Sequence, residues 1–291
     1  MSETTPTAEA DLAHWRAWLG RTEQHSDRIH AAPLDALAAT LDRDDPPARP
    51  GDEAPPLAHW LFFLTAARQS ELGADGHPRR GGFLPPVALP RRMWAGGRLT
   101  FQQALRVGDE VTRSSRITAV DAKRGRSGRL AFVTVRHEIT GPRGLAITEE
   151  HDIVYRDAPQ PGAVASAPPT APTDETFARR IEPDAVLLFR YSALTFNGHR
   201  IHYDRSYVTE VEGYPGLVVH GPLIATLLVD LLRRERPTAV LQRFAFTARS
   251  PLFDGRPFDV CGRFDGGERT AVLWARNHEG TLAMQASAEL A

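Results

Sequence analysis

The sequence predicts an α+β fold laid down twice in one chain, each half a helix followed by a curved antiparallel sheet. Three observations predict it. Segments 99–105, 110–120, 130–140 and 145–155 are rich in β-branched and aromatic residues. They are separated by Val-Gly-Asp, Lys-Arg-Gly-Arg-Ser-Gly and Gly-Pro-Arg-Gly, which is turn chemistry. A helix is expected from Pro222 to about Arg236, where Leu223, Ile224, Leu227, Leu228, Leu231 and Leu232 form one wide apolar face. Four more strand-like segments follow it, at 240–248, 257–264, 270–277 and 282–290.

Taken in order, residues 1–50 read as an N-terminal helical and irregular segment, with a short helix at 8–19 and a loop at 43–56. An apolar run at 57–67 is short and buried, and its pattern fits helix or strand equally. A Gly/Pro-rich excursion at 73–97 precedes the first meander, and the first domain is set at 51–157. Residues 158–176 form a Pro/Ala/Ser-rich linker without apolar periodicity, the best boundary in the chain. The second domain, 177–291, opens on a strand-like run at 185–194. Pro222 suits a helix start, where its missing N–H costs nothing, and Pro237 ends the helix. A helix wrapped by a curved antiparallel sheet is the hot-dog arrangement, so two such halves predict a double hot-dog.

Composition narrows the function classes. The 291 residues are 42% apolar and carry a net charge of −1, so no global field draws in nucleic acid. The longest apolar run is about half a membrane span, and the first residues carry no basic or apolar leader pattern. Cys261 is the single cysteine and reads as a small core residue, so no intrachain disulfide forms, in keeping with a reducing cytoplasm. Lys123 is the single lysine, so arginine must meet any phosphate or carboxylate of a ligand.

The chemistry concentrates in 189–223, FRYSALTFNGHRIHYDRSYVTEVEGYPGLVVHGPL. Asn197 and His202 lie five residues apart in a polar, Gly-containing loop, and His220-Gly221-Pro222 opens the apolar helix. A histidine moves protons, and amides at a helix start hold a developing oxyanion. This stretch resembles the hydratase motif of MaoC-like hydratases and dehydratases. There an acidic residue precedes a histidine by five positions, and a His-Gly pair precedes the central helix. The segments ARQSELGADGHPRRGGFLPPVALPRRMWAGGRLTF, LRVGDEV, KRGRSGRLAFVTVRHEI and EEHDIVYR resemble the first domain of 3-methylfumaryl-CoA (mesaconyl-C4-CoA) hydratases and their kin, mitochondrial-type 3-hydroxyacyl-thioester dehydratases type 2. The likeness covers roughly 55–291.

The resemblance implies reversible hydration of an α,β-unsaturated acyl-CoA, with 3-methylfumaryl-CoA giving a citramalyl-CoA-type product. It implies His202 as general base, Asn197 where most members carry aspartate, and the Gly221 amide as oxyanion donor. Coenzyme A is part of the substrate, and no cofactor or metal is expected: His199 and His202 have metal-like spacing but no matching cluster. Arg200, inside the loop, is a candidate clamp for a distal carboxylate, or pairs with Asp204. Tyr203 and His220 are further substrate-binding candidates, His220 also fixing the turn. Asp204, Glu210 and Glu212 read as turn and surface carboxylates. Arg91 and Arg92, with Arg79 and Arg80, are candidates for the CoA phosphates. The first half lacks both His-Gly-Pro and Asn-x₄-His, so one site per chain is expected, the first domain shaping the acyl tunnel. A broad enoyl-CoA hydratase, a hot-dog thioesterase and a non-catalytic acyl-CoA-binding protein remain alternatives, and a homodimer is allowed for. No nucleic-acid or membrane partner is expected.

Overall fold

The computed structural model describes residues 6–125, 128–157 and 168–291. The first half supplies strands β1 (Thr22–Arg28), β2 (Arg91–Phe101), β3 (Glu110–Gly125), β4 (Gly128–Gly141) and β5 (Gly144–Arg156). The second supplies β6 (Phe177–Ile181), β7 (Leu241–Ala248), β8 (Phe258–Asp265), β9 (Thr270–Asn277) and β10 (Leu282–Leu290). Among the described residues these make one sheet, in the order β1-β3-β4-β5-β2-β7-β10-β9-β8-β6, antiparallel at each pairing.

The halves join where β2 pairs with β7. Gly96 and Gly97 stand at this seam because nothing larger fits. A Cβ on Gly96 would lie 2.6 Å from the Phe246 carbonyl oxygen, and one on Gly97 2.9 Å from the Phe246 ring.

Helix α4 (Gly221–Glu235) is buried from Leu223 to Leu232 and packs on β6, β8, β9 and β10. Its apolar face forms the centre of the main core. Its buried carboxylate, Asp230, is 2% exposed and is met by three arginines: Arg43 Nη1 at 2.7 Å, Arg179 Nη1 at 3.1 Å and Arg234 Nε at 2.8 Å. A buried carboxylate persists only when so compensated. Here Arg43 ties the N-terminal segment to the central helix.

Several expectations are corrected. The segment 1–50 contributes a strand, β1, and a helix, α2 (Ala31–Thr40), besides α1 (Pro6–Arg16). The run 57–67 forms only a single 3₁₀ turn, Ala58–Leu61. Among the described residues the first half has no helix as long as α4, and its strand β1 lies between α1 and α2. The run 185–194 is not a strand but helix α3 (Ala185–Leu194). Asp184 decides this: its side chain accepts the Leu187 N–H at 2.8 Å, the bond of an N-cap. The strand expected at 99–105 starts earlier, at Arg91. Of the linker 158–176, residues 158–167 lie outside the described residues. Within the rest, Thr170 bridges to Thr281 and Ala171 packs with Cys261, Trp274 and Leu282.

Candidate active site

Helix α3 delivers the motif loop. It ends at Leu194, and Phe196 takes a left-handed conformation (φ +49°), rare for an aromatic residue. The Asn197 N–H then closes on the Ser192 carbonyl at 2.8 Å. Asn197 Oδ1 accepts the His199 N–H at 3.0 Å, folding the next residues into a tight turn. A 3₁₀ turn, Arg200–His202, follows.

His202 is buried, and its Nδ1 lies 2.6 Å from the Val218 carbonyl oxygen. A carbonyl only accepts, so Nδ1 carries the hydrogen and Nε2 keeps its lone pair. The His220 ring lies flat on that of His202, centroids 3.6 Å apart and planes 18° apart. His220 is the N-cap of α4, its Nε2 sits 2.8 Å from Ser192 Oγ, and its buried Nδ1 has no partner. Gly221 follows as the first helical residue, its N–H among those without an intrahelical acceptor, at the positive end of the helix dipole. Burial pushes His202 down to about 3, the Val218 bond opposing it and His199 and His77 adding to it. Burial, then His202, holds His220 well below the ordinary histidine range. Both imidazoles are therefore neutral near pH 7.

A cleft of about 1180 Å³ runs between the halves. Asn197, His220 and Pro222 line it from one side, and Trp60, Trp94 and His151 from the other. His202 stacks on His220 beside this cleft, its Nε2 without a partner among the described residues. A loop of the first half closes over the motif. A Cβ on Gly76 (φ +86°) would fall 1.9 Å from the Gly198 carbonyl oxygen, the Arg200 N–H bonds the Asp75 carbonyl at 2.9 Å, and Arg200 Nη1 donates to the Ala74 carbonyl at 3.0 Å.

Residues 57–254 match the family described as hydroxyacyl-thioester dehydratase type 2. The mesaconyl-C(4)-CoA hydratase of Chloroflexus aurantiacus is 48% identical over 96% of this chain and 98% of its own. The chain belongs to the hydroxyacyl-thioester dehydratase type 2 family. A mitochondrial member from Schizosaccharomyces pombe is 29% identical over 81% of this chain and 88% of its own. A MaoC-like dehydratase from Phytophthora capsici superposes with a TM-score of 0.70 at 12% identity, covering 94% of this chain and 96% of that one, and shares the double hot-dog fold.

Of the motif residues, His202 and His220 stack at the start of α4 next to Gly221, and Asn197 lines the same cleft as His220. The other candidates are placed differently. Arg200, expected as a carboxylate clamp, has its guanidinium engaged: Nε and Nη2 donate to Asp204 Oδ2 at 2.9 and 2.7 Å, and the group lies 4.1 Å above the Tyr207 ring. Tyr203 donates its hydroxyl to the Gly198 carbonyl at 3.1 Å and lines the cleft half exposed. Arg91 turns away from the cleft wall and donates to the Glu212 carbonyl at 2.8 Å. Arg92, Arg79 and Arg80 reach the cleft, Arg80 donating to the carbonyls of Val87, Leu89 and Pro90.

His199, edge-on to His202 at 5.4 Å, also pairs with His77. Their rings lie 4.0 Å apart, and Asp75, His77 and His199 hold one oxygen and two nitrogens within 4.8 Å of one another. That donor set suits a divalent cation. It is also satisfied without one, since His77 Nδ1 is 3.2 Å from Asp75 Oδ2.

Sequence reasoning missed a polar patch on the inner face of the first half. Arg113 and Ser115 on β3, His137 on β4, and Glu149 and His151 on β5 occupy inward positions alternating with Val111, Ile117, Val135 and Ile147. Glu149 is 2% exposed; His59 Nε2 and Trp60 Nε1 each stand 2.9 Å from its oxygens. His151 Nε2 is 2.6 Å away without the alignment of a hydrogen bond. Burial alone would raise Glu149, but His151 and His59 hold it well below the carboxylate range. The signal was present: period-2 strands carrying polar residues on the face that faces the core.

Proposed function

We propose that this chain adds water reversibly across the double bond of mesaconyl-C4-CoA, giving a citramalyl-CoA-type 3-hydroxyacyl thioester. The observation that carries the reaction class is the His202 tautomer, a neutral imidazole with Nε2 free, stacked on His220 at the start of α4. The substrate rests on the 48% identity to the Chloroflexus enzyme along nearly all of both chains.

In this reading His202 Nε2 takes a proton from water and the hydroxide attacks Cβ. Electron density moves to the thioester oxygen, where the Gly221 N–H bonds the enolate. The proton then returns to Cα. Asn197 has committed Oδ1 to His199, so it serves through its NH₂, as a donor to the attacking oxygen. No cofactor enters beyond the coenzyme A of the substrate. Arg92 and Arg79, at the cleft, are placed to meet its phosphates. No helix among the described residues is long and apolar enough to cross a membrane. The reading carries a cytoplasmic location and allows a homodimer.

The test is loss of enoyl absorbance with mesaconyl-C4-CoA and crotonyl-CoA, alongside free-thiol release. Hydration of the first without thiol supports the proposal. Thiol release from either would replace it with a thioesterase, and turnover of crotonyl-CoA alone would keep the chemistry and discard the substrate.

A further inference from the structure

The inner-face patch of the first half faces the same cleft as Asn197 and His220. Its cation, Arg113, is in an unusual condition. Its buried Nε has no hydrogen-bond partner, and among the described residues no carboxylate reaches its guanidinium. Phe63 lies beneath it, 5.2 Å from ring centre to guanidinium carbon. The acids in its field are Glu23 and Glu149. Glu149 faces His59, Trp60 and His151, and Glu23 stands 3.6 Å from His25. A partly buried guanidinium without an anion is a costly arrangement for folding alone, and a ligand carboxylate would satisfy it bidentately. Beside it, His137 commits Nδ1 to Ser115 Oγ at 2.8 Å, leaving Nε2 for a ligand.

The patch also adjoins the reaction centre. The His151 ring lies 3.9 Å from that of Trp94, and 4.4 Å from that of His137. The Trp94 carbonyl oxygen lies 3.9 Å from where a Cβ on Gly221 would stand. Trp94 thus stands between Gly221 and His151, and His151 in turn touches His137 beside Arg113.

We propose that Arg113, with His137, forms a carboxylate subsite that receives the free carboxylate of a dicarboxylic acyl-CoA. This rests on the hydratase reading above and assigns its substrate selectivity. In a 3-methylfumaryl thioester the carboxylate is bonded to the carbon that water attacks, so its receptor has to lie within the reaction site. Pairing it with a guanidinium also relieves its repulsion of the incoming hydroxide. The clamp expected of Arg200 is thereby supplied from the other half of the chain.

The experiment uses two saturated thioesters that cannot be hydrated, succinyl-CoA and butyryl-CoA, titrated calorimetrically into the full-length wild type, Arg113→Gln and Arg113→Lys. The wild type is expected to bind succinyl-CoA about tenfold to a hundredfold more tightly, the range of a charged hydrogen-bonded pair. In Arg113→Gln that ratio falls toward one, and Arg113→Lys keeps part of it. A wild-type ratio near one overturns the subsite, whether or not the variants fold. So does an Arg113→Gln protein that keeps the preference. A wild type that prefers succinyl-CoA yet leaves mesaconyl-C4-CoA unhydrated would sink the functional reading and keep the subsite. Hydration without the preference would do the reverse.

Discussion

His202 and His220 lie face to face, both buried, with ring centroids 3.6 Å apart and planes 18° apart. Two charged imidazoles at that distance would repel, so the stack is compatible with neutral rings and with one proton held at a time. In the proposed mechanism the pair divides into a base, His202, whose tautomer the Val218 carbonyl sets, and a partner, His220, held by the Ser192 hydroxyl.

His202→Ala is expected to cost on the order of 10²–10⁴ in kcat, the usual worth of a general base. His220→Gln, which removes the stacking ring, should cost on the order of tenfold. Both are checked by initial rates of enoyl loss. A His220→Gln protein as impaired as His202→Ala would transfer the proton role to His220, the ring on the cleft wall.

Asn197→Asp separates two roles of one side chain. The carboxylate keeps an acceptor for the His199 N–H, so the loop should survive. It loses the NH₂ donor. A fall in kcat of about tenfold to a hundredfold is expected, near that of Asn197→Ala, with an unchanged melting temperature for the aspartate variant alone. Wild-type kcat in Asn197→Asp would show that the acceptor, not the donor, matters.

What was legible from sequence follows from how locally each feature is encoded. The strands β3 to β5 and β7 to β10 fall on apolar, largely β-branched or aromatic runs, and α4 carries a 3.6-residue stripe behind a proline. The strand β1, Thr-Glu-Gln-His-Ser-Asp-Arg, is a mostly exposed sheet edge with no apolar face to announce it. The run Ala-Val-Leu-Leu-Phe at the start of α3 suits strand or helix, and the Asp184 cap decides it. The site divides the same way. Asn197, His202, His220 and Gly221 fall within one stretch and could be read together. Arg113, His137, Glu149 and His151 are spread over three strands. They meet only because the register sets Ser115 opposite His137 and His137 opposite Glu149.

Arg200→Ala separates the two roles expected of Arg200. Its guanidinium bonds Asp204 and the Ala74 carbonyl, so it braces the first-half loop on the motif loop. Its loss should lower kcat/KM for mesaconyl-C4-CoA and crotonyl-CoA alike, by roughly tenfold, through misplacement of the loop. A loss confined to the dicarboxylic thioester would restore Arg200 as the clamp.

Stability should depend on pH through histidines that stay neutral in the fold. Burial holds His202 to about 3 and sets His220 and His137 well below their unfolded range, His151 adding to the effect at His137. The unfolded chain, with histidines near 6.5, binds protons first as pH falls. Stability is therefore full above about pH 6.5 and is lost between there and about 3. Each such group lowers it by at most about 1.4 kcal/mol per pH unit. Glu149, held ionised by His151 and His59 against its burial, pushes in the same direction only at lower pH. Urea midpoints at pH 7.5 and 5.0 should differ clearly, the lower pH being the weaker. In His137→Gln, which removes one titrating ring, the difference should narrow. Equal midpoints at the two pH values would mean that these imidazoles take up protons in the folded protein as readily as in the unfolded chain, and the neutral stack of His202 and His220 would have to be given up.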